Sequence, residues 1–295
     1  FRAALGVSTA GLPSIAMAYV GEEFNPKAIG GIMGLYISGN SLGGLFGRML
    51  TGALTDLFSW RIAIGTVGVL ALLLSLLFWY LLPIPHNSLP KPFKKISFGS
   101  YKHILLDKKL MALIFLAFLM MGGFVTLFNY IGFMLMEPPY NLSQTIIGFI
   151  FLVYIFGTFS SVYMGKKADT YGSFPMIMLS IGVTVGGALL TLLPSLTLKI
   201  VGVSIFTFGF FASHSIASSW VGEVSGQFKA QASSLYLLNY YMGSSLIGSL
   251  GGFFWTTFHW EGVILMVTLL FVLAFPLVLF AHKREQAVSE SYEIK

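Results

Sequence analysis

Apolar stretches of about twenty residues alternate along this chain with short polar segments. Each stretch is long enough to cross the roughly 30 Å hydrocarbon core of a bilayer as a helix. Nine such spans are predicted, at 1–20, 28–54, 62–82, 111–136, 145–164, 175–193, 199–221, 231–254 and 261–281. The pattern therefore predicts an all-α integral membrane protein.

Composition excludes a soluble globular protein. Hydrophobic residues make up 56% of the chain and charged residues 9%, whereas soluble domains carry roughly a quarter charged residues. The chain contains no cysteine, so disulfides and cysteine-based metal sites are excluded. It also lacks a phosphate loop ending in Lys-Ser/Thr, an H-E-x-x-H motif and a G-x-S-x-G motif. We therefore expect neither an enzyme nor a cofactor or metal site.

The basic residues predict how the chain crosses the membrane. If the loop after the first span is cytoplasmic, thirteen of the seventeen lysines and arginines fall on the cytoplasmic side, and only Arg61 and Lys199 fall outside. Such an asymmetry is the positive-inside signature of membrane proteins. It accounts for the net charge of +6 without a nucleic-acid partner. The proline- and lysine-rich linker 83–110 and the tail 283–295 are predicted to be cytoplasmic.

An internal repeat appears when the chain is compared with itself at a shift of 200. Leu35-Tyr36 matches Leu235-Tyr236, Gly43 matches Gly243, Gly52 matches Gly252 and Trp60 matches Trp260. The matched spans face the same way, which indicates a parallel repeat of two six-span bundles. Residues 111–282 form the second bundle, and 1–82 hold three spans of the first. About 90 residues with three further spans are therefore expected before Phe1; a genuine nine-span protein is the alternative.

The second span carries glycines at a helical spacing. Gly39, Gly43 and Gly47 recur every four residues, and Asn40, Gly44 and Arg48 form the neighbouring row. Small residues in this arrangement let another helix approach closely in a membrane. We expect span 145–164 as the partner. The surface is either a fixed contact or one along which two bundles move.

Residues 165–175 read GKKADTYGSFP and resemble the G-x-x-x-D-[RK]-x-G-[RK]-[RK] loop of the major facilitator superfamily. Gly165, Asp169 and Gly172 match, whereas Thr170 and Ser173 replace usual basic residues. The resemblance implies that Asp169 caps a neighbouring helix and, with basic residues such as Lys166 and Lys167, holds the cytoplasmic side closed.

Two further stretches resemble motifs of the same superfamily. Gly39, Gly43 and Gly44 match the antiporter motif G-x-x-x-G-P-x-x-G-G on its fifth helix, with Leu35 and Asn40 at the first glycine and the proline. Arg2 to Gly6 resembles the R-x-x-x-G of its fourth helix, where a buried arginine is linked to proton coupling. The resemblance is to bacterial twelve-span drug:proton antiporters and covers their helices 4 to 12.

Polar side chains within spans are costly and are therefore candidates for function. They are Arg2, Tyr36, Asn40, Asn129, His214, Tyr236 and Asn239. Arg2 either tunes a carboxylate, binds an anionic substrate group or forms a structural ion pair. His214 either exchanges protons or hydrogen-bonds a neighbouring serine. The asparagines either bind polar groups of the substrate or form hydrogen bonds between helices. Arg48 and Asp56 are predicted to form a structural ion pair.

These observations predict a proton-coupled exporter of small organic or drug-like molecules that works by alternating access. It is expected to be a monomer in the bacterial inner membrane. A proton-coupled sugar or organic-acid transporter is the alternative within this class. A non-transporting membrane sensor or scaffold is the alternative from another class.

Overall fold

The computed structural model describes residues 12–13, 15–17, 19–25, 28–82, 98–142 and 144–293. The described part of the chain is helical and contains no strand. The helices are α1 (Ile29–Leu57), α2 (Trp60–Leu81), α3 (Phe98–Leu106), α4 (Lys108–Met136), α5 (Gln144–Ile150), α6 (Tyr154–Tyr171), α7 (Ser173–Leu190), α8 (Leu196–Val224) and α9 (Lys229–Glu293). The described residues between 12 and 23 are also helical, and we call them the leading segment.

Six helical stretches within the described ranges are long and apolar enough to cross a membrane, which confirms the predicted all-α membrane fold. The last of them, Gly226–Lys283, has 58 residues and contains the predicted eighth and ninth spans. At His259 the backbone leaves helical geometry, with φ 50° and ψ −142°. The two predicted spans are therefore the two arms of α9 on either side of His259.

The core forms where both arms of α9 pack on α4 and where α8 packs on α6 and α7. Glycines of α4 allow the close approach: a Cβ at Gly122 would meet Ile247 of the first arm, and one at Gly123 would meet Phe271 of the second. Phenyl rings fill the centre, and Phe124 of α4 stacks on Phe210 of α8 at 3.9 Å between ring centroids. Burial of such apolar surface between helices fixes the positions of α4, α6, α8 and α9.

The ends of these helices separate two sides of the molecule. Lys108, Lys166, Lys167 and Lys229 lie at helix termini on one side, which we call the lysine-rich end. At the opposite end, Trp260 Nε1 donates to the carbonyl oxygen of Thr191 at 3.1 Å, and Lys199 Nζ donates to the same oxygen at 2.6 Å. Thr191 follows α7, so both donors satisfy a free carbonyl at a helix C-terminus.

Outside this core, α1 packs mainly on α6 and also contacts α8 and α2. Of the α2 side chains only Ala63 is buried, and Trp79 and Tyr80 are among its most exposed residues. An apolar helix with this much free surface fits a hydrocarbon environment, as the hydropathy pattern predicts.

One predicted connection is wrong, and another contains a short helix. The stretch 165–171, predicted as a loop, continues α6 to Tyr171, because its two lysines and its alanine have high helix propensity. The helix stops only at Gly172, whose φ of 90° and ψ of 151° favour glycine. Part of the predicted linker 83–110 forms α3 and the start of α4; the proline-rich part, 83–97, lies outside the described residues.

Candidate functional site

Asp169 joins α6 to the first turn of α1. Its Oδ1 accepts a hydrogen bond from the Gly30 amide at 2.8 Å, and its Oδ2 accepts one from the Gly31 amide at 2.9 Å. The first amides of a helix have no partner within it and carry partial positive charge, so a carboxylate suits them. In the last turn of its own helix the same charge is disfavoured, because a helix C-terminus carries partial negative charge. The placement of Asp169 is therefore explained by α1, not by α6.

The two backbones touch beside this carboxylate. A Cβ at Gly34 would overlap the carbonyl of Ser161, and a Cβ at Gly165 would overlap the carbonyl of Gly30. Only residues without a side chain fit at these two crossings, so α1 and α6 pack closely over several turns. Small residues give membrane helices this kind of close interface.

Serine hydroxyls continue the contact one turn further from the lysine-rich end. The Oγ atoms of Ser38 and Ser161 are 2.8 Å apart, and each lies within hydrogen-bonding distance of the Gly34 carbonyl. Ser215 of α8 donates to the Ser161 carbonyl at 3.2 Å. We call the whole contact the seam: Gly30, Gly34 and Ser38 of α1 against Thr158, Ser161 and Gly165 of α6.

The predicted partner of α1 is thus found, but the predicted glycine face is wrong. A Cβ at Gly39, Gly43, Gly44 or Gly47 would have nothing within 4 Å in the described part of the chain. Gly39 instead borders an apolar crevice of about 650 Å³ between α1 and α6. The close backbone contact uses the row of Gly30, Gly34 and Ser38, which lies about 100° away from the row of Gly39 on the helix surface.

A buried polar pair lies deeper in the molecule. His214 Nδ1 of α8 and the Tyr236 hydroxyl of α9 are 2.9 Å apart, and both side chains are buried. The predicted serine partner of His214 is not found among the described side chains: Ser213 and Ser215 bond to backbone carbonyls. A hydrogen-bonded pair is the form in which polar groups persist inside a membrane bundle.

Aromatic rings surround the His214–Tyr236 pair. The rings of His214 and Tyr240 have centroids 4.6 Å apart, and Phe210 stacks on His214 at 6.1 Å. Tyr154 of α6 meets Phe211 of α8 at 5.6 Å between ring centroids. Tyr36 of α1 lies within hydrogen-bonding reach of Asn40 and packs against the same core. The structure therefore brings Tyr236 and Tyr240 of α9 to His214 of α8, and it pairs Tyr36 with Asn40 on α1.

The remaining asparagines do not join this group. Asn239 donates to the Leu235 carbonyl of its own helix at 3.0 Å. Asn129 is exposed and lies beside Gly248, on the contact between α4 and α9. Arg2 lies outside the described residues, as do the side chains of Arg48 and Asp56, so the predicted ion pair stays a prediction.

Several residues of the site were missed by the sequence reasoning. On α1 the row Gly30, Gly34, Ser38 has the four-residue spacing of the row that was chosen, and α6 carries a matching row at Gly157, Ser161, Gly165. Two facing rows of small residues were therefore a readable signal. Tyr154 and Tyr240 had no distinguishing signal in the sequence, because tyrosines are common throughout this chain.

Comparison with known sequences decides the family. The sequence model of the Major Facilitator Superfamily matches residues 1–248. The chain belongs to this superfamily. As a major facilitator protein with six apolar membrane-length stretches, it is a multi-pass membrane transporter.

Curated relatives agree with this assignment. The chain is 46% identical over 275 residues to YybF, an uncharacterized MFS-type transporter of Bacillus subtilis (strain 168), covering 92% of this chain and 68% of that protein. It is 44% identical over 287 residues to YnfM, an inner membrane transport protein of Escherichia coli (strain K12), covering 97% and 69%.

A solved structure agrees in fold. The crystal structure of a bacterial homologue of the iron transporter ferroportin, in its outward-facing state, superposes with a TM-score of 0.66. The match covers 92% of this chain and 69% of that chain at 15% sequence identity. At this identity the likeness concerns the fold alone.

Proposed function

We propose that this major facilitator protein exports small organic molecules in exchange for protons by alternating access. The observation that carries the proposal is the Asp169 carboxylate on the Gly30 and Gly31 amides, because it joins two helices through contacts that can be made and broken as a unit. At the seam itself the residues in contact are glycine, serine and threonine, so the two backbones meet without large side chains between them. Met33 and Ile37 of α1 are buried in the core beside the seam, and they favour the closed arrangement together with Asp169.

The charge pattern supports the assignment of the two sides of the membrane. Because cytoplasmic loops of membrane proteins are enriched in lysine and arginine, the lysine-rich end is the cytoplasmic side. Asp169 holds that side closed. When the carboxylate leaves the two amides, α1 and α6 separate there and the interior becomes accessible from the cytoplasm. Small differences in free energy, of a few kcal/mol, suffice to exchange two such states.

The His214–Tyr236 pair serves as the proton- and substrate-handling centre. Histidine is the side chain that ordinarily titrates near neutral pH, so it is suited to exchanging protons with water. Ser215, the neighbour of His214 on α8, donates to the Ser161 carbonyl of the seam, so movement at the seam changes the surroundings of His214. Access of water and protons to this centre is thereby linked to the state of the seam.

The test uses everted membrane vesicles that contain the complete natural polypeptide, with the dye Hoechst 33342 as the probe. An acid-inside pH gradient is expected to drive dye accumulation, and adding dye is expected to release protons. Accumulation that follows protons in the same direction would replace export with proton-coupled uptake. Absence of gradient-dependent flux would favour the sensor or scaffold.

The histidine is tested in the same vesicles with His214→Gln. Dye movement is expected to lose its dependence on the pH gradient, because glutamine can hydrogen-bond Tyr236 but cannot exchange a proton in this range. His103→Gln is the matched control, since His103 is an exposed histidine on α3. Unchanged coupling in His214→Gln would remove this residue from the proton path.

A further inference from the structure

Lys229 makes a second charged contact at the lysine-rich end. It is the first residue of α9, and its Nζ donates a hydrogen bond to the backbone carbonyl of Gly21 in the leading segment. A Cβ at Gly21 would lie 3.4 Å from Lys229 Cδ, so the absence of a side chain there lets the lysine lie along the backbone.

The accepting carbonyl belongs to a helix end. Helical structure in the leading segment stops at residue 23, so the Gly21 carbonyl is among the last four, which have no amide partner within the helix. These carbonyls carry partial negative charge, which favours a lysine over a neutral side chain. Lys229 therefore caps the C-terminal end of the leading segment, and Asp169 caps the N-terminal end of α1.

The two capped ends are neighbours along the chain. The leading segment ends at residue 23 and α1 begins at Ile29, so a short connection joins the negative end of one helix to the positive end of the next. One group of helices, α6 and α9, supplies a carboxylate to the positive end and an ammonium to the negative end.

We propose that Lys229 is a positioning residue for transport, forming with Asp169 a two-point electrostatic latch that holds the lysine-rich end closed. The proposal rests on the proposed alternating-access function. Both contacts join a charged side chain to a helix end, so the latch recognises the aligned ends of two helices. Opening this end requires both contacts to break together.

The test measures opening with a single reporter cysteine; residues 1–295 contain none, and any cysteine elsewhere in the complete polypeptide is replaced by serine. Ser233 is buried and lies one turn after Lys229 on the same face of α9, so Ser233→Cys reports on exposure of this region. A membrane-impermeant maleimide is added to everted vesicles containing the complete natural polypeptide. Lys229→Met is expected to raise the labelling rate about twofold to fivefold, the range of one charged group at a helix end.

Control variants separate the latch from general effects. Lys229→Arg keeps a charged donor and should label close to the unmodified rate. Lys102→Met removes a charge from exposed Lys102 at the same end and should also leave labelling unchanged. If Lys229→Met does not accumulate in the membrane, Lys229→Gln tests the same contact with a neutral donor and a smaller increase.

The outcome also separates this inference from the proposed function. If Asp169→Asn raises labelling and Lys229→Met does not, Lys229 is not part of the latch and the proposed function stands. If neither variant changes labelling, opening at this end is not controlled by helix capping, and the alternating-access proposal fails with it.

Discussion

A single carboxylate performs two opposite roles in this protein. Asp169 is unfavourably placed in the last turn of α6, yet it satisfies two amides at the start of α1. A residue that weakens its own helix in order to cap another is a residue whose effect depends on the distance between the two helices. It therefore stabilises one arrangement of the seam and not another.

We predict that Asp169→Asn weakens the closed state by about 0.3–1 kcal/mol, because asparagine keeps one acceptor oxygen but loses the negative charge that a helix N-terminus favours. The matched control is Asp107→Asn, since Asp107 Oδ1 accepts from the amides of Lys109 and Leu110 in the adjacent helix α4. Asp107→Asn should lower thermal stability by a similar amount without changing access from the lysine-rich end. Measurement of cysteine accessibility and of unfolding temperature in both variants checks this, and equal effects on accessibility would contradict it.

We also predict that Tyr236→Phe destabilises the protein by about 1–3 kcal/mol, because it leaves His214 Nδ1 buried without its partner. Tyr241→Phe is the control, since Tyr241 lies next to Tyr240 but is 53% exposed. Thermal unfolding in detergent should show a fall of several degrees for the first variant and little for the second. Similar unfolding temperatures would mean that water replaces the tyrosine hydroxyl.

The sequence identified candidate functional residues, but it did not identify the residues that they contact. The motif drew attention to Asp169, and burial within a span drew attention to His214, but neither observation contains the position of a second helix. The choice of Gly39 and Gly43 over Gly30 and Gly34 shows the limit. Both rows have the same spacing, and only the three-dimensional contact tells which row makes the close backbone contact with α6.

At the scale of elements, the seam is the region where α1 and α6 lie so close together that a side chain at Gly34 or Gly165 would overlap the other helix. Both helices were predicted as spans. α6 lies within Ile146–Tyr171, a stretch long and apolar enough to cross a membrane, whereas glycines and polar residues interrupt the apolar run of α1. Their ends were less predictable. Helix α6 runs two turns beyond its apolar run, and this extension is what brings Asp169 to α1.

The glycines of α1 give a matched pair of variants for the seam. Gly34→Ala is expected to destabilise the protein by about 1–3 kcal/mol, because the new Cβ overlaps the Ser161 carbonyl and pushes the helices apart. Gly39→Ala should be neutral or stabilising by up to about 1 kcal/mol, since alanine favours a helix and nothing in the described chain lies within 4 Å. Unfolding temperature and dye flux distinguish them, and a more harmful Gly39→Ala would restore the face predicted from sequence.

At the scale of the whole molecule, alternating access requires the seam to open during each cycle. A covalent link across it should therefore stop transport without unfolding the protein. The hydroxyl oxygens of Ser38 and Ser161 are 2.8 Å apart, so cysteines at these positions are close enough for a disulfide. This pair supplies the only thiols within residues 1–295, and any cysteine elsewhere in the complete polypeptide is replaced by serine.

We predict that oxidised Ser38→Cys/Ser161→Cys loses at least about nine-tenths of its dye flux, because the low-energy movement of the seam is replaced by a covalent constraint. Reduction with dithiothreitol should restore the flux, and each single variant should be insensitive to oxidant. Flux is measured in vesicles, and disulfide formation by the loss of maleimide labelling. Full flux in completely oxidised protein would show that α1 and α6 move as one body, and the moving interface would then have to lie elsewhere.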